Sequence, residues 1–410
     1  MRKIIAIILS IGCMTFVAYS QTGGATDEFE QSYKIANQLI NESLAKKDYK
    51  MAEIQTIGFI NQFKKMSART QTKYAVLIPN HYYNLSCMAA LGGNKSKAIL
   101  YLDSAFQHGY YNYRHTLADD DLNSLRGEQQ FKVVLQKIRE KGDLVYVLQQ
   151  SGNYNNKDSR TSVAFTYQSA KAPELVKFRK QYKLDSVSGN GDEISKIKNL
   201  LLWAHHAVRH DGSSDNPVKR NAADLIEICK KENRGVNCRM MATVLRDACQ
   251  AMGFKARVVT CMPKDTADLD CHVINVVWSE KLNKWLWMDP TFNAYVSDDK
   301  GTLLNIEEVR NKLVRGEALV LNDDANWNDK EKKTKEDYLD YYMSKNLYWL
   351  NCYARSEWNI ETAGDGKPLA EVVNLYPGKF TTITGDKEKG KTRLSYATNN
   401  AAYFWAKPGQ

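Results

Sequence analysis

The sequence predicts an α+β protein in which an all-α region precedes a mixed core and a mixed C-terminal extension follows it. Three observations carry this prediction. Apolar residues recur at helical spacing from about Asp27 to Gly142, as with Tyr33, Ala36, Leu39 and Ile40, and again with Phe131, Val134, Leu135 and Ile138. A second helical pattern, opening at Cys238 and closed by Gly253, runs directly into stretches that alternate as strands over 254–262, 271–279 and 284–291. The end of the chain is rich in Gly, Thr and Tyr, with short alternations that suit strands better than helices.

Residues 1–20 read as an export signal, with Arg2 and Lys3 ahead of an apolar run and Ala18-Tyr19-Ser20 as the cleavage site. The expected location is therefore secreted or periplasmic. Cys13 after Gly12 invites a lipid anchor, but Ser10 stands where such a motif wants Leu. A helical domain is expected over 25–142. Within it Tyr82, Leu85, Ser86, Ala89, Ala98, Leu102 and Ala105, on either side of Gly92-Gly93-Asn94, resemble one tetratricopeptide repeat. Such a module would offer a surface for a protein partner. The polar stretch 149–161 reads as a linker, 162–300 as the core domain, and 301–410 as a C-terminal helix plus β-rich extension. In that extension Thr334 and Asp337 suit a helix cap. Tyr338, Tyr341, Tyr342, Lys345, Tyr348, Trp349 and Cys352 would then line one side of the helix.

Composition excludes several classes. Hydrophobic residues make up 43% and charged residues 25%, as in a globular protein. The formal charge of +10 falls by two to +8 once Arg2 and Lys3 are removed. The remaining excess is unclustered, so no nucleic-acid partner is expected. No later apolar run is long enough to span a membrane. Of eight cysteines, Cys13 goes with the signal. The odd remainder implies at least one free thiol, with a Cys261–Cys271 bridge as an open alternative. His206 and His210, with Asp211 nearby, have helical metal-ligand spacing but lack the intervening Glu of a zinc-protease motif. No metal or cofactor is expected.

Cys238 stands out by position. Asn237 is a good N-cap, and Met241, Val244, Leu245, Ala248 and Met252 form one apolar face, so Cys238 opens a core-facing helix. Helix-terminal N–H groups there favour the thiolate, the reactive form of cysteine. A two-residue turn at Glu280-Lys281 would join the next two strands with opposing residue numbers summing to 561. His272 would then face Asp289, which suits a general base and the carboxylate that orients it.

These segments, GVNCRMMATVLRDACQAMGFKARVV, DCHVINVVW and KWLWMDPT, resemble the transglutaminase-like superfamily, a papain-like cysteine fold. The resemblance covers roughly Glu193 to Tyr295. It implies Cys238 as nucleophile, His272 as base and then acid, Asp289 as orienter, and the Cys238 N–H as one oxyanion donor. Trp203, 35 residues before Cys238, is the candidate second donor, with core packing as its preferred reading. The expected activity is hydrolysis of peptide or other amide bonds through a thioester, with a peptide or protein as substrate. Transfer to an amine, giving crosslinks, is one alternative. A binding or assembly protein that uses the fold as a scaffold is another.

Overall fold

The computed structural model describes residues 25–159, 163–362, 370–380 and 393–409. The expected signal over 1–20, with Cys13, and the end of the expected linker at 160–161 lie outside the described residues. The chain divides into two compact units between Asp143 and Leu144.

The first unit is helical, with α1 (Ala25–Ala45), α2 (Tyr49–Phe63), α3 (Ile78–Leu91), α4 (Lys95–Gln107) and α5 (Gln129–Gly142) as its longer elements. Asp48 and Asn94 cap α2 and α4 by accepting from the N–H groups of Met51 and Lys97, each cap worth about 1 kcal/mol. The pair α3–α4 is the helical hairpin expected around Gly92-Gly93-Asn94, and Leu85, Ser86, Ala89, Ala98, Leu102 and Ala105 are all buried. Along α1 the expected face is only partly used: Ile40 is buried, whereas Leu39 remains 44% exposed.

The second unit is built on a six-stranded sheet. Its strands are β1 (Ala256–Met262), β2 (His272–Ser279), β3 (Lys284–Met288), β6 (Trp349–Tyr353), β7 (Ala370–Leu375) and β8 (Arg393–Thr398), in the order β8-β7-β6-β1-β2-β3. A small separate hairpin, β4 (Asn326–Trp327) with β5 (Glu331–Lys332), precedes β6. Three of the six sheet strands come from 301–410, so that stretch completes the core and no boundary falls at 300. Arg257 of β1 helps to dock the tail. Its buried guanidinium lies 3.9 Å from the Phe165 ring centre and 4.4 Å from that of Trp285, and it donates to Phe404 O.

The expected linker is also part of this unit. Asn155 N donates to Asn399 O, Gly378 N to Asn153 O and Lys379 N to Ser151 O. Its polar residues thus bond to the tail where the sequence pattern suggested free chain.

One face of the sheet packs on α6 (Glu193–Ala207), α7 (Ala222–Glu232) and α8 (Cys238–Ala251), burying Val277, Leu286 and Met288 against Leu200, Val244 and Leu245. The other face buries Ile274, Val276, Trp285 and Trp287 beneath residues from the C-terminal part, among them Ile306, Tyr338 and Leu339. Strand β2 is buried on both faces, which suits its nearly unbroken apolar run.

The single long helix expected after Thr334 does not form. Thr334 does cap the segment, accepting from Asp337 N at 3.1 Å. The turn that follows is a π-helix, Glu336–Met343, and the chain has become strand β6 by Trp349. Pairing with β1 and β7 draws Trp349, Leu350 and Cys352 into the sheet, since a short apolar run serves either period.

Candidate active site

Helix α8 starts where the sequence places it. Asn237 accepts from Met240 N, and Gly253 follows the helix at φ +91°, a conformation that favours glycine. Its buried residues, including Met240, Met241, Val244, Leu245 and Ala248, hold it in the core while Cys238 remains partly exposed at its first turn. Gly235 makes a second approach possible. Val236 N donates to Arg209 O, and Asp211 N donates to Val236 O. A Cβ on Gly235 would lie 2.8 Å from Arg209 O and 2.6 Å from Asp211 Cβ. The bare backbone thus lets 209–211 run beside the lead-in to Cys238 and brings in His210.

His272 and Asp289 meet by a slightly different register from the one expected. The β2–β3 pairs, such as Asn275 with Met288, sum to 563. The loop is longer than two residues, with Asn283 at φ +50°. A shift of two preserves the face on which each side chain stands, leaving Asp289 as the diagonal neighbour of His272. His272 Nε2 donates to Asp289 Oδ2 at 2.7 Å, both side chains being buried. The same oxygen accepts from Tyr338 O–H at 2.7 Å, and Asp289 Oδ1 accepts from Thr291 N at 2.9 Å. Trp287 Nε1 donates in turn to Tyr338 Oη at 3.1 Å. A carboxylate held this fully cannot swing away from the imidazole.

Since Nε2 of His272 is engaged by Asp289, Nδ1 is the nitrogen left for the thiol. The His210 and His272 imidazoles both act on the Cys238 thiol. Burial of the sulfur pushes its pKa up, but hydrogen bonding from the two imidazoles and the charge on His272 outweigh it and bring it down to about 6. For His272, burial disfavours the charged ring, while Asp289 and Cys238 favour it and raise the pKa to about 10. Between those values the pair stands as thiolate and imidazolium.

The sequence offers His210 as an exposed or capping histidine at a helix end, or as a metal ligand, and not as a neighbour of the thiol. Its Nδ1 accepts from Trp327 Nε1 at 2.9 Å, which leaves Nε2–H as the donor toward Cys238. Asn328 fixes its backbone from both sides, accepting from His210 N and donating to His210 O. The sequence carried no local sign of this, because 327–328 lie far along the chain. Tyr338 was legible only as one member of a tyrosine stripe.

Trp203 packs against the edges of Phe178 and Tyr182, with ring centres 6.1 and 5.8 Å away, which fits its packing reading. The seven cysteines among the described residues are all free, so Cys261 and Cys271 are not bridged. A cleft of about 700 Å³ adjoins the site, lined by His210, Phe292, Trp327, Lys330, Glu331 and Lys333 among others. No helix among the described residues is long and apolar enough to cross a membrane.

Comparison with known proteins agrees with the central resemblance. Residues 180–290 match the transglutaminase-like superfamily. Residues 35–144, in the helical unit, match a family described as A/B hydrolase-like, N-terminal domain. A solved structure described as a candidate cysteine protease from Cytophaga hutchinsonii aligns at 19% identity with a TM-score of 0.24. That alignment covers 38% of this chain and 49% of the other, about half the length of that structure. No curated protein matches the chain.

Proposed function

We propose that the second unit is a cysteine hydrolase that cleaves peptide or related amide bonds through a thioester on Cys238. The observation that carries this reading is the buried His272–Asp289 pair, together with a helix-opening Cys238 whose pKa His210 and His272 bring down. The thiolate attacks the carbonyl carbon, and the C–O π electrons move onto oxygen. The Cys238 N–H, which has no partner within its own helix, and the His210 Nε2–H are the donors for that oxyanion. Collapse breaks the C–N bond as the His272 imidazolium gives its proton to the leaving amine. Neutral His272 then takes a proton from water, whose oxygen attacks the thioester. The acid leaves, and the thiolate–imidazolium pair is restored.

The cleft beside His210 has aromatic walls from Phe292 and Trp327, consistent with a peptide-sized substrate. With Arg2, Lys3 and the apolar run after them as an export signal, the enzyme would work outside the cytoplasm. The test is iodoacetamide labelling of Cys238 against pH in wild type and His272→Ala, followed by product analysis on peptides with and without an added amine. Fast labelling from about pH 6 upward, lost in the variant, is expected, with free acid as the product. Labelling like that of an ordinary thiol in both proteins would favour the scaffold reading. Amine incorporation in place of acid would favour crosslinking.

A further inference from the structure

On the far side of the β4–β5 turn lies a cluster that the reaction above does not use. His205 is buried, and its Nδ1 lies 2.9 Å from the carbonyl oxygen of Pro290, to which it must donate. Its Nε2 faces oxygen on two sides, Asn326 Oδ1 at 3.1 Å and Asp329 Oδ1 at 3.7 Å. The Asn326 amide cannot be turned to relieve this. Its Oδ1 accepts from Asp329 N at 2.7 Å, and its Nδ2 donates to Asp324 O at 3.0 Å. A neutral His205 with its proton on Nδ1 therefore aims a buried lone pair at two acceptors, an arrangement that calls for a positive charge between them. His206 Nε2 lies 3.2 Å from the same Asp329 oxygen.

We infer that His205 Nε2, His206 Nε2 and Asp329 Oδ1 form a binding site for a borderline divalent transition cation of the zinc class. The three ligand atoms lie within 4.8 Å of one another. Zinc with bonds of about 2.0–2.2 Å in a tetrahedron sets its ligands about 3.3 Å apart, and the observed contacts to Asp329 Oδ1, 3.2 and 3.7 Å, bracket that spacing. The Nδ1–H bond of His205 to Pro290 O is the outer contact that fixes a ligating tautomer. His206 and Asp329 are about half exposed, leaving a path for entry and room for water as a further ligand.

Such a cation would pin the turn to the end of α6. The neighbouring residues of that turn, Trp327 and Asn328, hold His210. This consequence rests on the proposed reaction, whereas binding itself does not.

The test uses the full chain, stripped of metal and carrying Cys238→Ser, because a thiolate beside two imidazoles would itself capture zinc. Zinc titration by calorimetry should show one saturable event, weakened at least about tenfold by His206→Ala and by Asp329→Asn. The asparagine keeps a residue that tolerates the positive φ at position 329. Cobalt in place of zinc should give visible ligand-field bands without a sulfur-to-metal charge-transfer band, and the same substitutions should remove them. Absence of saturable binding, or binding unchanged in both variants, would overturn the site. Because the serine protein has no nucleophile, neither result bears on whether the wild type is a hydrolase.

Discussion

Helix α8 and the β4–β5 hairpin hold neighbouring parts of one site by opposite means. The helix is fixed by burial: one side chain after another, from Met240 to Ala251, is out of solvent, and Cys238 sits where that rigid body ends. The hairpin has strands of only two residues, and Glu331 and Lys332 are exposed. Its turn residues Asn328 and Asp329 take φ of +54° and +56°. It is held by side-chain hydrogen bonds to His205, His206 and His210. Apolar packing positions the nucleophile, and polar contacts position what surrounds it. Damage to the first should be large and abrupt, and damage to the second graded.

The largest effect should come from the imidazole on the packed side. His272→Ala is expected to lower kcat by about 10⁴-fold and return the labelling pKa of Cys238 to about 8.5 or above. In wild type, labelling should rise through about pH 6. The stability signs follow from the same shifts. His272, raised to about 10, contributes stability that is complete below its unfolded value and lost as pH rises through 10. Cys238, lowered to about 6, contributes stability that is complete above its unfolded value and lost as pH falls through 6. A denaturation series across both limits checks these directions.

The hairpin side should give less. His210→Ala removes one oxyanion donor and should cost about 10²-fold in kcat with little change in KM. His210→Gln, which retains an N–H, should recover part of the loss. An unchanged kcat would mean that His210 only packs beside the thiol. Next comes Tyr338→Phe, which deletes the phenolic donor to Asp289 and leaves Trp287 Nε1 without its acceptor. A hydrogen bond to a charged group is worth about 1.5–3 kcal/mol, so kcat and the urea midpoint should fall together, kcat by about tenfold or more.

The same contrast explains what could be read in advance. Cys238, His272 and Asp289 were legible because each sits on an element whose pattern is local. Asn237 and Gly253 bound the helix, and the alternation of β2 and β3 keeps His272 and Asp289 on one face even though the true register differs by two. The core boundary at 300 was missed because β7 and β8 join the sheet through β6, whose partner β1 lies far earlier in the chain, and nothing local in β6 specifies that pairing. Tyr338 was hidden by the π-helix. A 3.6-residue reading gives the tyrosine stripe but not which hydroxyl reaches Asp289. His210 shares no local pattern with Trp327, 117 residues further on, which fixes its tautomer.

The smallest effect tests the comparison most sharply. Trp327→Phe keeps an aromatic wall on the cleft but removes the indole N–H from His210 Nδ1. The ring is then free to place its proton on either nitrogen, and only the Nε2–H form donates toward Cys238. One neutral hydrogen bond is worth about 1 kcal/mol, so kcat should fall about fivefold, and His210→Ala should mask the effect when the two changes are combined. If the two losses simply add, Trp327 acts on substrate through the cleft and does not act through His210. A fall in kcat as large as that of His272→Ala would mean that the hairpin positions the nucleophile itself, and the division between packed and polar support would not hold.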